Sequence, residues 1–142
     1  MLKQISMFLE NKPGRLARVC RVIAEEGINI RALSLAEAVD FGLLRLIVDN
    51  PVLAEEKLKA RDFLVKVTDV VGIKVPDRPG GLAEAVDLLE KEQVSVAYMY
   101  AFIGHSGDKA MVIFRLDDNE KGIAAFRNSS IEVLTPEEVY TA

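Results

Sequence analysis

Two short loops hold the residue types most suited to chemistry. Asn11-Lys12-Pro13-Gly14 precedes a stretch opening Arg15-Leu16-Ala17, and Asp77-Arg78-Pro79-Gly80 precedes one opening Gly81-Leu82-Ala83. Pro13 fixes the backbone of its loop, and Gly14 removes a side chain where a helix is expected to start. The first N–H groups of a helix lack internal partners and attract a carboxylate. Asn11 and Asn29 offer amide oxygens to an ammonium group, together with amide donors. Both are expected at adjacent strand ends, facing one small zwitterion. The second loop has Asp77 for Asn11 and Ser95 for Asn29. A carboxylate there holds an ammonium but repels a carboxylate, so the second copy is expected to bind more weakly. The same residues also fit a purely structural role: Pro-Gly as a turn, Asn11 as a helix cap, Asn29 as a partner for loop backbone.

These loops belong to a repeat. Residues 11–17 return as 77–83, an offset of 66 that also pairs Ile5, Met7 and Leu9 with Val71, Ile73 and Val75, and Ile28-Asn29-Ile30 with Val94-Ser95-Val96. A repeat this long is one small domain written twice, predicted here as residues 1–68 and 69–142. Ile5, Met7 and Leu9 alternate as on a strand with one buried face. Leu16, Val19, Cys20 and Ile23 recur at helical spacing, and Gly27 suits a left-handed helix end. Strands are predicted near 28–35, 43–48 and 63–67, with a second helix opening at Asn50-Pro51 and running through Ala60. The second copy gives strands near 71–75, 94–103, 110–116 and 131–134, and helices lined by Leu82, Val86 and Leu89 and over 119–127. The third strands align at an offset of 68, which pairs Asp49 with Asp117. Thr68-Asp69 is read as a minimal linker, and residues 135–140 as an added helical turn.

The order is β-α-β-β-α-β twice. The fold class is therefore α+β: two ferredoxin-like units in tandem, each an antiparallel sheet with helices on one face. At about 70 residues a unit is near the lower limit for a self-sufficient core, so packing of the copies, or a homodimer, is expected.

The strand-loop-helix stretch ending Pro-Gly-x-Leu-Ala, with Gly27-Ile28-Asn29-Ile30 after the helix, resembles the ACT domain, a regulatory module that binds amino acids. Its recurrence makes the chain similar to a tandem ACT pair. The resemblance implies ligand-binding roles for Leu9, Asn11, Asn29 and Ile30, with Lys12, Pro13 and Gly14 completing the loop. The weaker second set is Val75, Asp77, Arg78, Pro79, Gly80, Ser95 and Val96. Some serine-binding members carry a polar residue at the position of Leu9, which points here to a more apolar ligand side chain. The implied function is a metabolic sensor that binds an amino acid or related small metabolite. It would act on an enzyme partner in trans or through its oligomeric state. The alternatives are a ligand-free interaction module and a regulatory subunit of an enzyme complex.

Composition limits the other classes. Eighteen basic and 22 acidic residues give a net charge of −4, which offers no electrostatic reason to bind nucleic acid or an anionic membrane. The single cysteine, Cys20, is expected on the buried face of the first helix, inert and in a reducing compartment. Met1 leads straight into Leu2-Lys3-Gln4-Ile5 without a signal-like run, and no apolar run is long enough to cross a bilayer, so the cytoplasm is the expected location. His105, Ser106 and Asp108 lack the spacing of a nucleophile elbow and read as a solvated turn. Asp117-Asp118-Asn119-Glu120 reads as a helix start rather than a cation loop. Tyr98, Tyr100 and Phe102 alternate on one strand, without the basic signature of an RNA-binding sheet, and are expected to cover the sheet face away from the helices or to meet a second subunit. No catalytic residue, metal ligand or cofactor is expected.

Overall fold

Apolar periodicity drives each unit to lay two helices across one face of an antiparallel sheet. The computed structural model describes residues 1–104 and 107–140. The elements are β1 (Leu2–Glu10), α1 (Arg15–Glu25), β2 (Ile30–Ala38), β3 (Phe41–Val48), α2 (Pro51–Ala60), β4 (Val65–Pro76), α3 (Gly81–Lys91), β5 (Val96–Ala101), β6 (Lys109–Leu116), α4 (Asn119–Arg127), β7 (Glu132–Val133) and α5 (Pro136–Tyr140). Two compact units result. The first is Lys3–Thr68 with Val139 and Tyr140; the second is Asp69–Glu138 with Met1 and Leu2. His105 lies outside the described residues.

In the first unit the strands run in the order β2-β3-β1-β4. Ile5, Met7 and Leu9 of β1 join Leu44, Leu46 and Val48 of β3 in a core with Val19, Val22 and Ile23 of α1 and Ala54 and Leu58 of α2. The alternating positions on β1 and β3 therefore face the helices, as period two requires. Arg18 lies over the Phe63 ring, 5.1 Å from its centroid. Helix α1 ends at Gly27, whose φ of 69° supplies the expected left-handed residue.

The second unit repeats the plan: β4 pairs antiparallel with both β6 and β7, and β5 pairs with β6. Its core sets Val71, Ile73 and Val75 against Val112, Phe114 and Leu116, with Ala85, Leu89 and Phe126 from the helices. The rings of Phe114 and Phe126 lie 6.1 Å apart. Gln93 takes the place of Gly27, with φ 58°. The repeat extends to irregularities. The register shifts between Ile30 and Ala32 on β2, and between Val96 and Tyr98 on β5. These β-bulges sit 66 residues apart and turn each edge strand by one residue.

Three readings change. Thr68-Asp69 is not a linker but part of the unbroken strand β4, which runs from Val65 to Pro76. Leu82 and Val86 do not line the α3 core; they stay exposed, and Gly81, Ala85 and Leu89 are buried instead. Cys20 is half-buried rather than sealed in the core. The tyrosines lie as expected: the bulge aligns Tyr98 with Arg115 and Tyr100 with Ile113, opposite in facing to Val112 and Phe114 of the core.

Candidate functional site

The first loop opens a cleft of about 350 Å³ lined by Leu9, Glu10, Asn11, Lys12, Pro13, Arg15, Leu16, Leu35 and Gly42. Its walls come from the end of β1, the start of α1 and the β2–β3 hairpin. Leu9 aligns with Gly42 across the β1–β3 ladder. A Cβ on Gly42 would meet Leu35 Cδ1 at 2.9 Å, so the missing side chain is what lets Leu35 lean over the cleft floor. The floor is therefore apolar and the rim polar.

Local backbone geometry shapes the rim. Lys12 N–H donates to the Glu10 carbonyl at 2.8 Å and Arg15 N–H to the Lys12 carbonyl at 3.3 Å. Gly14 is the helix N-cap, with φ 90° and ψ −11°, and α1 has no side-chain cap and no acidic residue in its first turn. Asn11 is thus not the cap, and the early N–H groups of α1 remain without a side-chain acceptor. Lys12 Nζ lies 2.9 Å and Arg15 Nη2 3.7 Å from the Glu10 carboxylate. The hydrogen bond from Lys12, then its charge and that of Arg15, hold the Glu10 carboxyl below its usual range.

The second loop is closed differently. Gly80 again caps a helix in the left-handed region, at φ 86°. Here Glu84 occupies the first turn and pairs with Arg78 at 2.7 Å. Gly81 stands where the first copy has Arg15, and a Cβ there would collide with the Pro76 carbonyl oxygen. The loop backbone therefore packs directly on the helix start. Asp77 N–H donates to the Asp108 carbonyl at 3.0 Å.

Leu9, Asn11, Lys12 and Pro13 come together in the first cleft, and Gly14 caps the helix beside it. Asn29 and Ile30 do not join them. Ile30 aligns with Val48, whereas Glu10 aligns with Phe41 at the other end of β3. The seven-residue separation spans roughly 24 Å along the strand. The expectation that Asn11 and Asn29 face one ligand within a unit is therefore corrected: β1 and β2 run the same way, so the end of one is far from the start of the other. Asn29 instead belongs to a backbone latch. Its N–H donates to Asp49 Oδ1 at 2.9 Å, and Asp49 N–H returns a bond to the Asn29 carbonyl at 3.1 Å. Ser95 and Asp117 repeat the latch, with both distances 3.1 Å. Val75, Asp77, Arg78, Pro79 and Gly80 likewise sit at the opposite end from Ser95 and Val96, because β5 pairs with the far end of β6.

Glu10, Arg15, Leu16, Leu35 and Gly42 line the cleft but were not among the site residues read from the sequence. Gly42, following the left-handed Asp40, was the available signal. Asp118 caps α4 by accepting from Lys121 N–H at 3.0 Å, which accounts for the acidic run at the helix start. No group of three or more His, Cys, Asp or Glu side chains among the described residues is placed to hold a metal ion. No helix among the described residues is long and apolar enough to cross a membrane.

The repeated unit and its sheet order together define the class of fold, two ferredoxin-like units in tandem. The model of the ACT domain pair matches residues 1–140, and the chain belongs to that family. A solved protein from Bacteroides thetaiotaomicron is similar, at 42% identity and a TM-score of 0.92, over 99% of this chain and 96% of that one. The ligand-free regulatory subunit of aspartate kinase from Thermus thermophilus shares the fold, at 17% identity and a TM-score of 0.64, over 89% and 91% of the two chains. That of Thermus flavus gives 15% identity and a TM-score of 0.59, over 89% and 90%. No curated protein matches the chain.

Proposed function

We propose that this ACT pair is a non-catalytic cytoplasmic sensor that binds one small amino acid in the cleft of its first unit. The ligand carboxylate lies toward the uncapped start of α1, and its side chain lies on Leu9, Leu16 and Leu35. Asn11 and the Glu10 carboxylate supply acceptors for the ammonium. The proposal rests on the contrast between the loops. The first leaves a helix start without an acidic residue above an apolar floor, whereas the second carries Glu84 in its first turn, paired with Arg78, and seats its loop on Gly81. Binding is passed to an enzyme partner in trans or to the oligomeric state of a homodimer. Asn29, Ile30, Ser95 and Val96 serve the entry to their strands rather than the ligand.

The test is thermal denaturation against the twenty amino acids, aliphatic and aromatic ones first. A ligand at about a hundred times its dissociation constant adds roughly 2.7 kcal/mol. For a chain of this size that raises Tm by about 5–10 °C. If none moves the curve at millimolar concentration, the ligand-free interaction module is the better reading.

A further inference from the structure

Helix α4 of the second unit forms one wall of a groove of about 520 Å³, lined by Met1, Glu120, Ile123, Ala124, Arg127 and Asn128. All six residues belong to the same compact unit. The volume lies in the range of small-molecule sites, roughly 300–1,000 Å³. Five of the six are on α4 (Asn119–Arg127) or at its cap, Asn128, and their spacing puts them on one helix face. Met1 forms the facing wall and is held by Asn119, which is 9% exposed. Asn119 Oδ1 accepts from Leu116 N–H at 3.1 Å, and its Nδ2 donates to the Asp69 carbonyl at 3.0 Å and lies 3.8 Å from Met1 Sδ. Ile123 packs on the core of the unit, which fixes the floor of the groove.

The charges at the two ends of this groove have no partners of their own. Glu120 and Arg127 are exposed, and neither forms an ion pair or a side-chain hydrogen bond among the described residues. The first unit treats the equivalent helix differently. At the offset of 68, Lys59 corresponds to Arg127 and Glu55 to Ile123. Lys59 Nζ lies 3.0 Å from Glu55 Oε2, so that cation is neutralised four residues away on its own helix. In the second unit isoleucine replaces the carboxylate, and the acid moves to Glu120, where the first unit has Val52. Seven residues of helix rise about 10.5 Å, beyond the three- or four-residue spacing at which such side chains meet. The helix dipole accounts for an acid at the start and a base at the end. It does not account for the apolar span of Met1, Ile123 and Ala124 between them.

From this arrangement we propose that the groove binds a short peptide with free ends, about three residues long, at a site separate from the cleft over Leu9. The peptide ammonium lies at the Glu120 carboxylate. Its carboxylate lies at the Arg127 guanidinium, whose fork of donors suits a carboxylate, with the Asn128 amide beside it. The middle side chain rests on Met1, Ile123 and Ala124. Length selects the ligand. Three extended residues span about 10–11 Å, which matches the rise between Glu120 and Arg127. A single amino acid holds its two charges within about one residue length and cannot reach both ends. The separation of acid and base also fixes the direction in which the peptide lies.

Titration of the full ¹⁵N-labelled chain with the tripeptide Ala-Leu-Ala tests this. Saturable amide shifts are expected at Glu120, Ile123, Ala124, Arg127 and Asn128, at millimolar peptide or below, while the amides of Asn11 to Ala17 stay still. The N-acetylated and the C-amidated peptides should each bind roughly three- to tenfold more weakly, and free leucine should leave these five amides unmoved. Glu120→Gln should weaken the free peptide by a similar factor and make acetylation of the peptide immaterial. Arg127→Gln should do the same for amidation. Both side chains are exposed, so the variants should keep the wild-type melting curve, which is measured alongside. Absence of saturable shifts at millimolar tripeptide overturns the proposal. So does equal binding of the blocked peptides to the wild type, or binding to the two variants that keeps its wild-type strength. Shifts confined to the first cleft overturn it as well and leave the reading of that cleft standing.

Discussion

Gly14→Val and Gly80→Val form a matched pair that separates the cost of a strained cap from the loss of a binding site. Both glycines sit in the left-handed region, at φ 90° and φ 86°. A Cβ at Gly14 meets nothing within 4 Å, and one at Gly80 meets only Arg78 Nη1 at 3.8 Å. Neither substitution therefore clashes, and the penalty is conformational. A non-glycine residue held in this region costs about 1–3 kcal/mol, toward the upper end for a β-branched side chain. For a chain of this length each kcal/mol lowers Tm by about 2–4 °C. Both variants should thus melt about 4–10 °C lower, by similar amounts. Binding should divide them. Relaxing the Gly14 cap turns the first N–H groups of α1 away from the ligand carboxylate, and losing such a bond costs about 1–3 kcal/mol, or roughly 5- to 150-fold in Kd. Gly80→Val should leave affinity unchanged. Gly14→Asn, which tolerates the left-handed region, should recover much of the stability. Calorimetric titration and melting curves on the three variants give both quantities. Equal affinity losses from the two valine variants would refute the assignment of the site to the first unit.

Three other outcomes follow from the geometry. Asp49→Ala removes the acceptor for Asn29 N–H and should cost about 1–2 kcal/mol in denaturant unfolding, whereas Asn29→Ala, whose latch uses backbone, should cost less than about 0.5 kcal/mol and leave affinity unchanged. Gly81→Ala drives a methyl into the Pro76 carbonyl and should destabilise by about 1–3 kcal/mol, while Arg15→Gly at the equivalent position should be mild by the same assay. The hydrogen bond with Lys109 lowers the Glu132 carboxyl and raises the Lys109 ammonium. The Glu132 contribution is present above the ordinary carboxylate value of about 4.3 and is lost as pH falls through its lower folded value; the Lys109 contribution is full below about 10.4 and is lost as pH rises beyond it. The Tm advantage of wild type over Glu132→Gln should therefore shrink at both extremes and be largest between them.

Much of the architecture was legible because the sequence writes it twice. The Pro-Gly helix starts and the alternation of Ile5, Met7 and Leu9 are local signals, and local signals survive translation into structure. The offset of 68 rightly paired Asp49 with Asp117, but their role as latches was not read from it: both accept a backbone N–H from the residue before an edge strand. The continuity of β4 was hidden because Thr68-Asp69 interrupts the apolar pattern without breaking the strand. The bulges were hidden as well. Strict alternation puts Val96 and Tyr98 on one face, and the register shift between them sends Val96 toward the core and Tyr98 away. The site was only half legible. Leu9 and the loop residues are contiguous in sequence, whereas Leu35 and Gly42 reach the cleft through strand pairing. Asn29 was misplaced because its neighbourhood is set by strand direction, which the residues around it do not reveal.

The account is tested most directly by an amide ¹H–¹⁵N titration of the wild-type chain with whichever apolar amino acid raises Tm most. The account predicts saturable shifts concentrated at Asn11, Lys12, Gly14, Leu16 and Ala17, with Gly42 following. The equivalent amides at Asp77, Gly80, Leu82 and Ala83 should stay still. Shifts of equal size in both loops, or shifts centred on Asn29 and Asp49 instead, would contradict it.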